Sequence, residues 1–117
     1  MIMKTLLWID DARNPMEDDW MNFSPIGRNC KVVWAQSYQE AIDFLEKEWP
    51  YAICLDHDLG EEKSGYDIAK YIVDKCIDEG YVLPQFASQS ANPVGRANIL
   101  GILNNYKRIT QKILPWE

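Results

Sequence analysis

Histidine occurs once, at His57, and cysteine three times, at Cys30, Cys54 and Cys76, with no two thiols spaced as a metal-binding pair. That excludes a zinc-finger core, and the odd number argues against a disulfide framework, so the thiols are expected to be free and the setting intracellular. No segment approaches the roughly 20 consecutive apolar residues of a membrane span, and no long apolar region precedes Asp10. Basic residues are the minority. The formal net charge is -6 over 117 residues, which speaks against an extended nucleic-acid or membrane surface while leaving room for one locally basic phosphate pocket. Repeats and low-complexity linkers are missing too. With 47% hydrophobic residues, the chain reads as one domain, residues 1–117, with enough apolar material for a real core.

What is present is a repeated design. Ile53-Cys54-Leu55 is a short apolar run that stops abruptly at Asp56-His57-Asp58, and Thr5-Leu6-Leu7-Trp8-Ile9 stops in the same way at Asp10-Asp11. Uninterrupted apolar runs of this length fit strands buried on both faces of a parallel sheet. The acids then fall at the carboxyl edge, where open α/β sheets form their ligand crevices. Lys31–Ala35 reads as a further strand and Leu83–Ala87 as another. Ser37 with Glu40 three residues on marks the start of a helix to Glu48. Tyr66–Glu79 reads as a helix closed by Gly80, with Ala69, Ile72, Val73 and Cys76 facing the core. Asn92-Pro93 opens a third helix whose apolar side is Ile99, Ile102, Leu103 and Tyr106. Met16–Gly27 has no convincing period and reads as loop, while the tail from Lys107 either makes a short last strand or packs on the sheet. Alternation of strands and helices with right-handed crossovers predicts a three-layer, doubly wound parallel sheet of order 2-1-3-4, with a fifth strand short or absent.

Carboxylates brought within a few ångströms must share a proton, pair with a cation or bind a metal. Asp10, Asp11 and Asp56, with Asp58 beside them, therefore form the candidate metal set, for Mg²⁺ or Mn²⁺. The alternative is that these acids are caps and solvated loop residues. His57 is a candidate general acid, base or ligand, or else a loop histidine bonded to a carbonyl. Extended geometry would turn Asp58 away from His57, so that at most one of the two enters the pocket. Asn92-Pro93-Val94-Gly95-Arg96 opens a helix whose free N–H groups attract anions, with Gly95 allowing close approach and Arg13 and Arg96 as a clamp; ordinary capping with two surface arginines is the plainer account. Trp8, Trp34 and Trp49 read as core, while Trp20 and Trp116 have the character to frame a base, though such residues more often just cover apolar edges.

The triad Asp10, Asp11 and Asp56 resembles that of response-regulator receiver domains, whose fold is flavodoxin-like. In receivers these acids hold Mg²⁺, the central Asp accepts a phosphoryl group, a Ser or Thr ends strand four and a Lys ends strand five. Ser90 fits the hydroxyl. No lysine fits, although Lys107 or Lys112 would have to serve, and Gly60 stands where receivers usually carry proline. A narrower resemblance rests on Asp10-Asp11-Ala12-Arg13-Asn14-Pro15, on Leu55-Asp56-His57-Asp58-Leu59-Gly60 with Gly65-Tyr66-Asp67, and on Ser90-Ala91-Asn92-Pro93-Val94-Gly95-Arg96-Ala97-Asn98-Ile99. These three motifs are similar to those of the cyclic-phosphate processing receiver domains of bacteria and phages. The likeness implies a pocket turned to hydrolysis or binding of a phosphate ester or nucleotide, with Asp56, His57 and Ser90 as catalytic candidates and Arg13, Asn92, Gly95, Arg96 and Asn98 on the phosphate. That family usually has His immediately before the Ser; here the residue is Gln89. A non-catalytic nucleotide-binding or partner-docking module therefore stays open beside the enzyme, with a phosphoacceptor third.

Overall fold

In the computed structural model, residues 4–17, 26–27 and 29–110 are described. Four strands, β1 (Thr5–Ile9), β2 (Lys31–Ala35), β3 (Ala52–Leu55) and β4 (Gln85–Ser88), form one parallel sheet in the order β2-β1-β3-β4. Helices α1 (Tyr38–Lys47), α2 (Gly65–Glu79) and α3 (Pro93–Thr110) complete the expected topology.

Local chemistry sets the boundaries. β4 begins two residues later than its apolar run because Pro84 has no N–H to give to the ladder; Leu83 is nevertheless buried. Ser37 Oγ accepts from Glu40 N at 3.1 Å and caps α1. Ser64 N donates to Asp67 Oδ2 at 2.8 Å, so the spacing Ser64-x-x-Asp67 is the start signal of α2, and Gly80 ends that helix in the left-handed region at φ 70. α3 carries on through Lys107 to Thr110, so the beginning of the tail is helix and neither a strand nor a packed coil; Lys107 and Arg108 in its last turn complement the helix dipole. Trp20, Trp116, Lys112, Ile113 and Leu114 lie outside the described residues, as does most of the loop read over Met16–Gly27.

Strand alternation sorts the core into two clusters. Leu7, Ile9, Ile53 and Leu55 face Ala41 and Leu45 of α1, Ile68, Ala69, Ile72 and Cys76 of α2, and Ile99 and Leu103 of α3. Leu6, Trp8, Ala52 and Cys54 point the other way, against Ile26, with Cys30, Val32, Trp34 and Tyr51 packed around them. All three described helices thus pack on one face. Burying a side chain such as Leu or Ile contributes roughly 1.5–3 kcal/mol, so among the described residues the helix-bearing face supplies most of the apolar drive. Cys30, Cys54 and Cys76 are free thiols, and burial pushes the Cys76 thiol up to about 11. No helix among the described residues is long and apolar enough to cross a membrane.

Candidate functional site

Register dictates the centre of the site. Ile9 pairs with Leu55 and Leu55 with Ser88, so the next residue of each strand, Asp10, Asp56 and Gln89, stands in one row at the carboxyl edge. Adjacent strands lie about 4.8 Å apart. The ladder extends to fix both acids, since Asp10 N donates to Ala35 O at 3.1 Å and Asp56 N to Ile9 O at 2.9 Å.

Asp10 is 1% exposed, and its Oδ1 accepts from Ala12 N at 3.0 Å and Arg13 N at 2.8 Å, which folds the following loop over the strand end. Trp34 Nε1 donates to Asp10 O and Trp8 Nε1 to Arg13 O, so two core tryptophans hold that loop from below. Arg13 reaches across the edge, its Nη1 donating to Gln89 O at 2.7 Å and lying 3.5 Å from Asp10 Oδ2. Asp11 is exposed beside Gly60. Gly60 has φ +69, and a Cβ there would lie 3.2 Å from Asp11 Oδ2; proline, which fixes φ near -65°, cannot occupy this position.

One carboxylate oxygen from each of Asp10, Asp11 and Asp56 falls within 4.8 Å of the others, a donor set that can hold a divalent cation. Asp58, expected with the metal ligands, is not in this group. Burial, reinforced by the charge of Asp10, pushes the Asp56 carboxyl above its ordinary range, against opposing hydrogen bonds from Ser90 and His57 N and the charge of Arg13. Gln89 adds to this excess of acceptors. Its Nε2 donates to Ile9 O at 3.0 Å and contacts Asp10 Oδ2 at 3.5 Å, leaving its buried Oε1 without a partner. Asp10, Asp11, Arg13, Asp56, Asp58 and Asn92 line a cavity of about 230 Å³ above this row.

The remaining expected residues divide. Ser90 is buried, bonds Asp56 and accepts from Asn92 N at 3.1 Å. His57 and Asp58 do not point apart. The backbone leaves extended geometry after Asp56, and His57 Nδ1 meets Asp58 Oδ1 at 2.9 Å. Asn92 Nδ2 donates to Asp58 Oδ2 at 3.2 Å, and these two bonds hold the Asp58 carboxyl below its usual range. His57 lines a neighbouring cavity of about 340 Å³ with Gly60, Glu61, Glu62 and Ser64, outside the acidic one. Asn92 Oδ1 caps α3 by accepting from Gly95 N at 3.1 Å. The space over Gly95 is filled by the His57 ring, where an added Cβ would lie 2.2 Å from His57 Cγ, so its missing side chain accommodates the imidazole and not an incoming ligand. Arg96 does not join Arg13: it is exposed and its Nε donates to Ser88 O at 3.2 Å. Asn98 belongs to a separate groove with Tyr66, Asn105 and Arg108. Lys107 is 14 residues beyond Pro93, about 21 Å up the helix at 1.5 Å per residue. Gly65, named above only within the motif Gly65-Tyr66-Asp67, opens α2 and is buried with its would-be Cβ 1.8 Å from Asp56 O, a role that the Ser64–Asp67 capping signature also marks.

The sheet order and this acidic edge define a receiver-like fold. Solved structures agree on the fold. A CheY-like response regulator receiver domain protein from Methanospirillum hungatei aligns with TM-score 0.57 at 16% identity, covering 86% of this chain and 76% of that one. The phosphorylated cyanobacterial phytochrome response regulator RcpA aligns with TM-score 0.57 at 18% identity over 97% and 99% of the two chains. A response regulator from Thermotoga maritima gives 0.51 at 18% identity over 95% and 100%. Within this class the sequence matches the family described as the cyclic-phosphate processing receiver domain over residues 5–105, and the chain belongs to that family. No curated protein matches it significantly.

Proposed function

We propose that the cavity above Asp10, Asp11 and Asp56 binds a phosphate ester together with Mg²⁺ or Mn²⁺ and hydrolyses a cyclic phosphate or cyclic nucleotide. The observation that carries this is the meeting of three carboxylate oxygens within 4.8 Å, on a cavity whose wall also includes Arg13. A carboxyl whose proton affinity is raised by burial and further by a neighbouring carboxylate is a site short of positive charge, and oxygen donors suit a hard cation. A divalent ion there supplies charge neutralisation and polarisation of a phosphoryl oxygen. Arg13 orients the phosphate through charge-assisted hydrogen bonds, and Ser90 holds Asp56 in place. Hydrolysis adds water across one P–O bond of the ring and leaves a monoester. The proposal includes an intracellular setting, consistent with three free thiols, and a small-molecule partner instead of an extended nucleic acid.

Gln89 favours a second reading, that of a nucleotide-binding module without turnover. Its amide is tied to Ile9 O and Asp10, and it has no proton to transfer at neutral pH. A phosphoacceptor role fits less well, because Lys107 lies far along α3 from Asp56. Thermal shift and product chromatography on cyclic and linear nucleotides, with and without Mg²⁺ or Mn²⁺, separate the readings. The enzyme converts a cyclic phosphate only with metal. Tight binding with the nucleotide recovered intact supports the module, and no stabilisation by any phosphate compound removes both.

A further inference from the structure

Four residues from two segments close a ring of contacts. Asn92 spans Gly95 N and Asp58 Oδ2, Asp58 Oδ1 meets His57 Nδ1, and the His57 ring lies on Gly95. Asn92 thereby uses both ends of its amide, the oxygen as helix cap and the nitrogen as donor to a carboxylate. Asp58 offers one carboxylate oxygen to each neighbour, Oδ1 to His57 and Oδ2 to Asn92. A neutral imidazole facing a carboxylate through Nδ1 carries its one proton there, and Nε2 keeps the lone pair. The ring lines the cavity bounded by Gly60 and Ser64, next to the acidic cavity, and Asp58 borders both.

We infer that Asn92 and Gly95 are positioning residues for His57: they clamp it as the Nδ1–H tautomer, so that Nε2 serves as a hydrogen-bond acceptor toward a hydroxyl-bearing part of the bound ester in the cavity beside the metal set. Asn92 acts through Asp58, and Gly95 by leaving room for the ring. The ligand assignment rests on the proposed phosphate-ester reading, whereas the clamp is tested without metal or nucleotide.

His57 is the only histidine, so the ¹⁵N-labelled full chain gives a single imidazole pattern in long-range ¹⁵N–¹H spectra. At about pH 9, well above the ordinary histidine range, the parent is expected to show Nδ1–H with an unprotonated Nε2. Asn92→Ser keeps a good helix cap but cannot reach Asp58, and should shift the pattern toward Nε2–H while the protein stays folded. Gly95→Ala should lower stability, and the loss should shrink at least by half when His57→Ala makes room. An Nε2–H parent, an unchanged tautomer in Asn92→Ser, or an equal cost of Gly95→Ala in both backgrounds overturns the clamp. With the clamp established, a cyclic nucleotide whose ribose hydroxyl is replaced by hydrogen should bind at least fivefold more weakly to the parent and lose little further in His57→Ala; equal binding overturns the ligand assignment. Absence of any nucleotide binding overturns it together with the phosphate-ester reading and leaves the clamp standing.

Discussion

The carboxyl edge of the sheet has two halves with opposite electrostatic character. Beside α3, the polar groups pair largely with one another: Asn92 with Gly95 N and Asp58, Asp58 with His57, Arg96 with Ser88 O, and Ser88 Oγ with Leu55 O at 2.7 Å. Around β1 and β3, Asp10 and Asp56 are buried side by side, Asp56 resists ionisation, and the Gln89 amide oxygen stays unpaired. Polar groups satisfied by one another build structure. A cluster left short of positive charge is a candidate ligand site, so the second half is where the proposed cation and phosphate would sit.

The largest effect is expected where the two halves join. Gly65→Ala puts a Cβ onto the Asp56 carbonyl at 1.8 Å, a backbone atom that cannot swing aside, and should destabilise the protein by about 3 kcal/mol in urea titrations. Full stability in that variant would show that α2 does not fix Asp56. Next comes Asp10→Ala, which strips the acceptor from Ala12 N and Arg13 N; about 1 to 2 kcal/mol should be lost even though a neighbouring negative charge is removed. A gain in stability there would mean that repulsion outweighs the loop bonds.

Much of this layout could be read from the residues. Apolar runs ending in acids located β1 and β3 and hence Asp10 and Asp56, and Asn92-Pro93 located the start of α3. Contacts beyond the strand ends were not legible, because they depend on side-chain direction after the backbone leaves extended geometry. His57 and Asp58 turn toward each other for that reason, and Gly95 serves the imidazole. Arg96 shares the helix turn near the site but donates to Ser88 O at the end of β4, the last strand of the sheet among the described residues, a contact set by side-chain direction. The strand read from Leu83 ran through Pro84, whose missing N–H delays β4 to Gln85.

The two arginines sharpen the comparison further. Arg13→Ala should weaken binding of a phosphate ligand by about 1.5 kcal/mol, roughly tenfold by calorimetry, whereas Arg96→Ala should change it by less than about 0.5 kcal/mol. The reverse order would move the phosphate to the α3 side.

The central claim, that Asp10, Asp11 and Asp56 are an unneutralised cation site, is tested most directly by thermal unfolding of the parent and Asp56→Asn in chelator and then in Mn²⁺ or Mg²⁺. Burial and the charge of Asp10 raise the Asp56 carboxyl above its ordinary value, so its favourable contribution is present below that ordinary value and lost as pH rises through the higher folded pKa. In chelator at neutral pH, Asp56→Asn should therefore be the more stable protein, by on the order of 1 kcal/mol, and the parent alone should lose stability on passing upward from about pH 4. Added metal should raise the parent's Tm and leave the variant's nearly unchanged. A variant less stable than the parent in chelator, or one that gains as much from metal, would contradict the account.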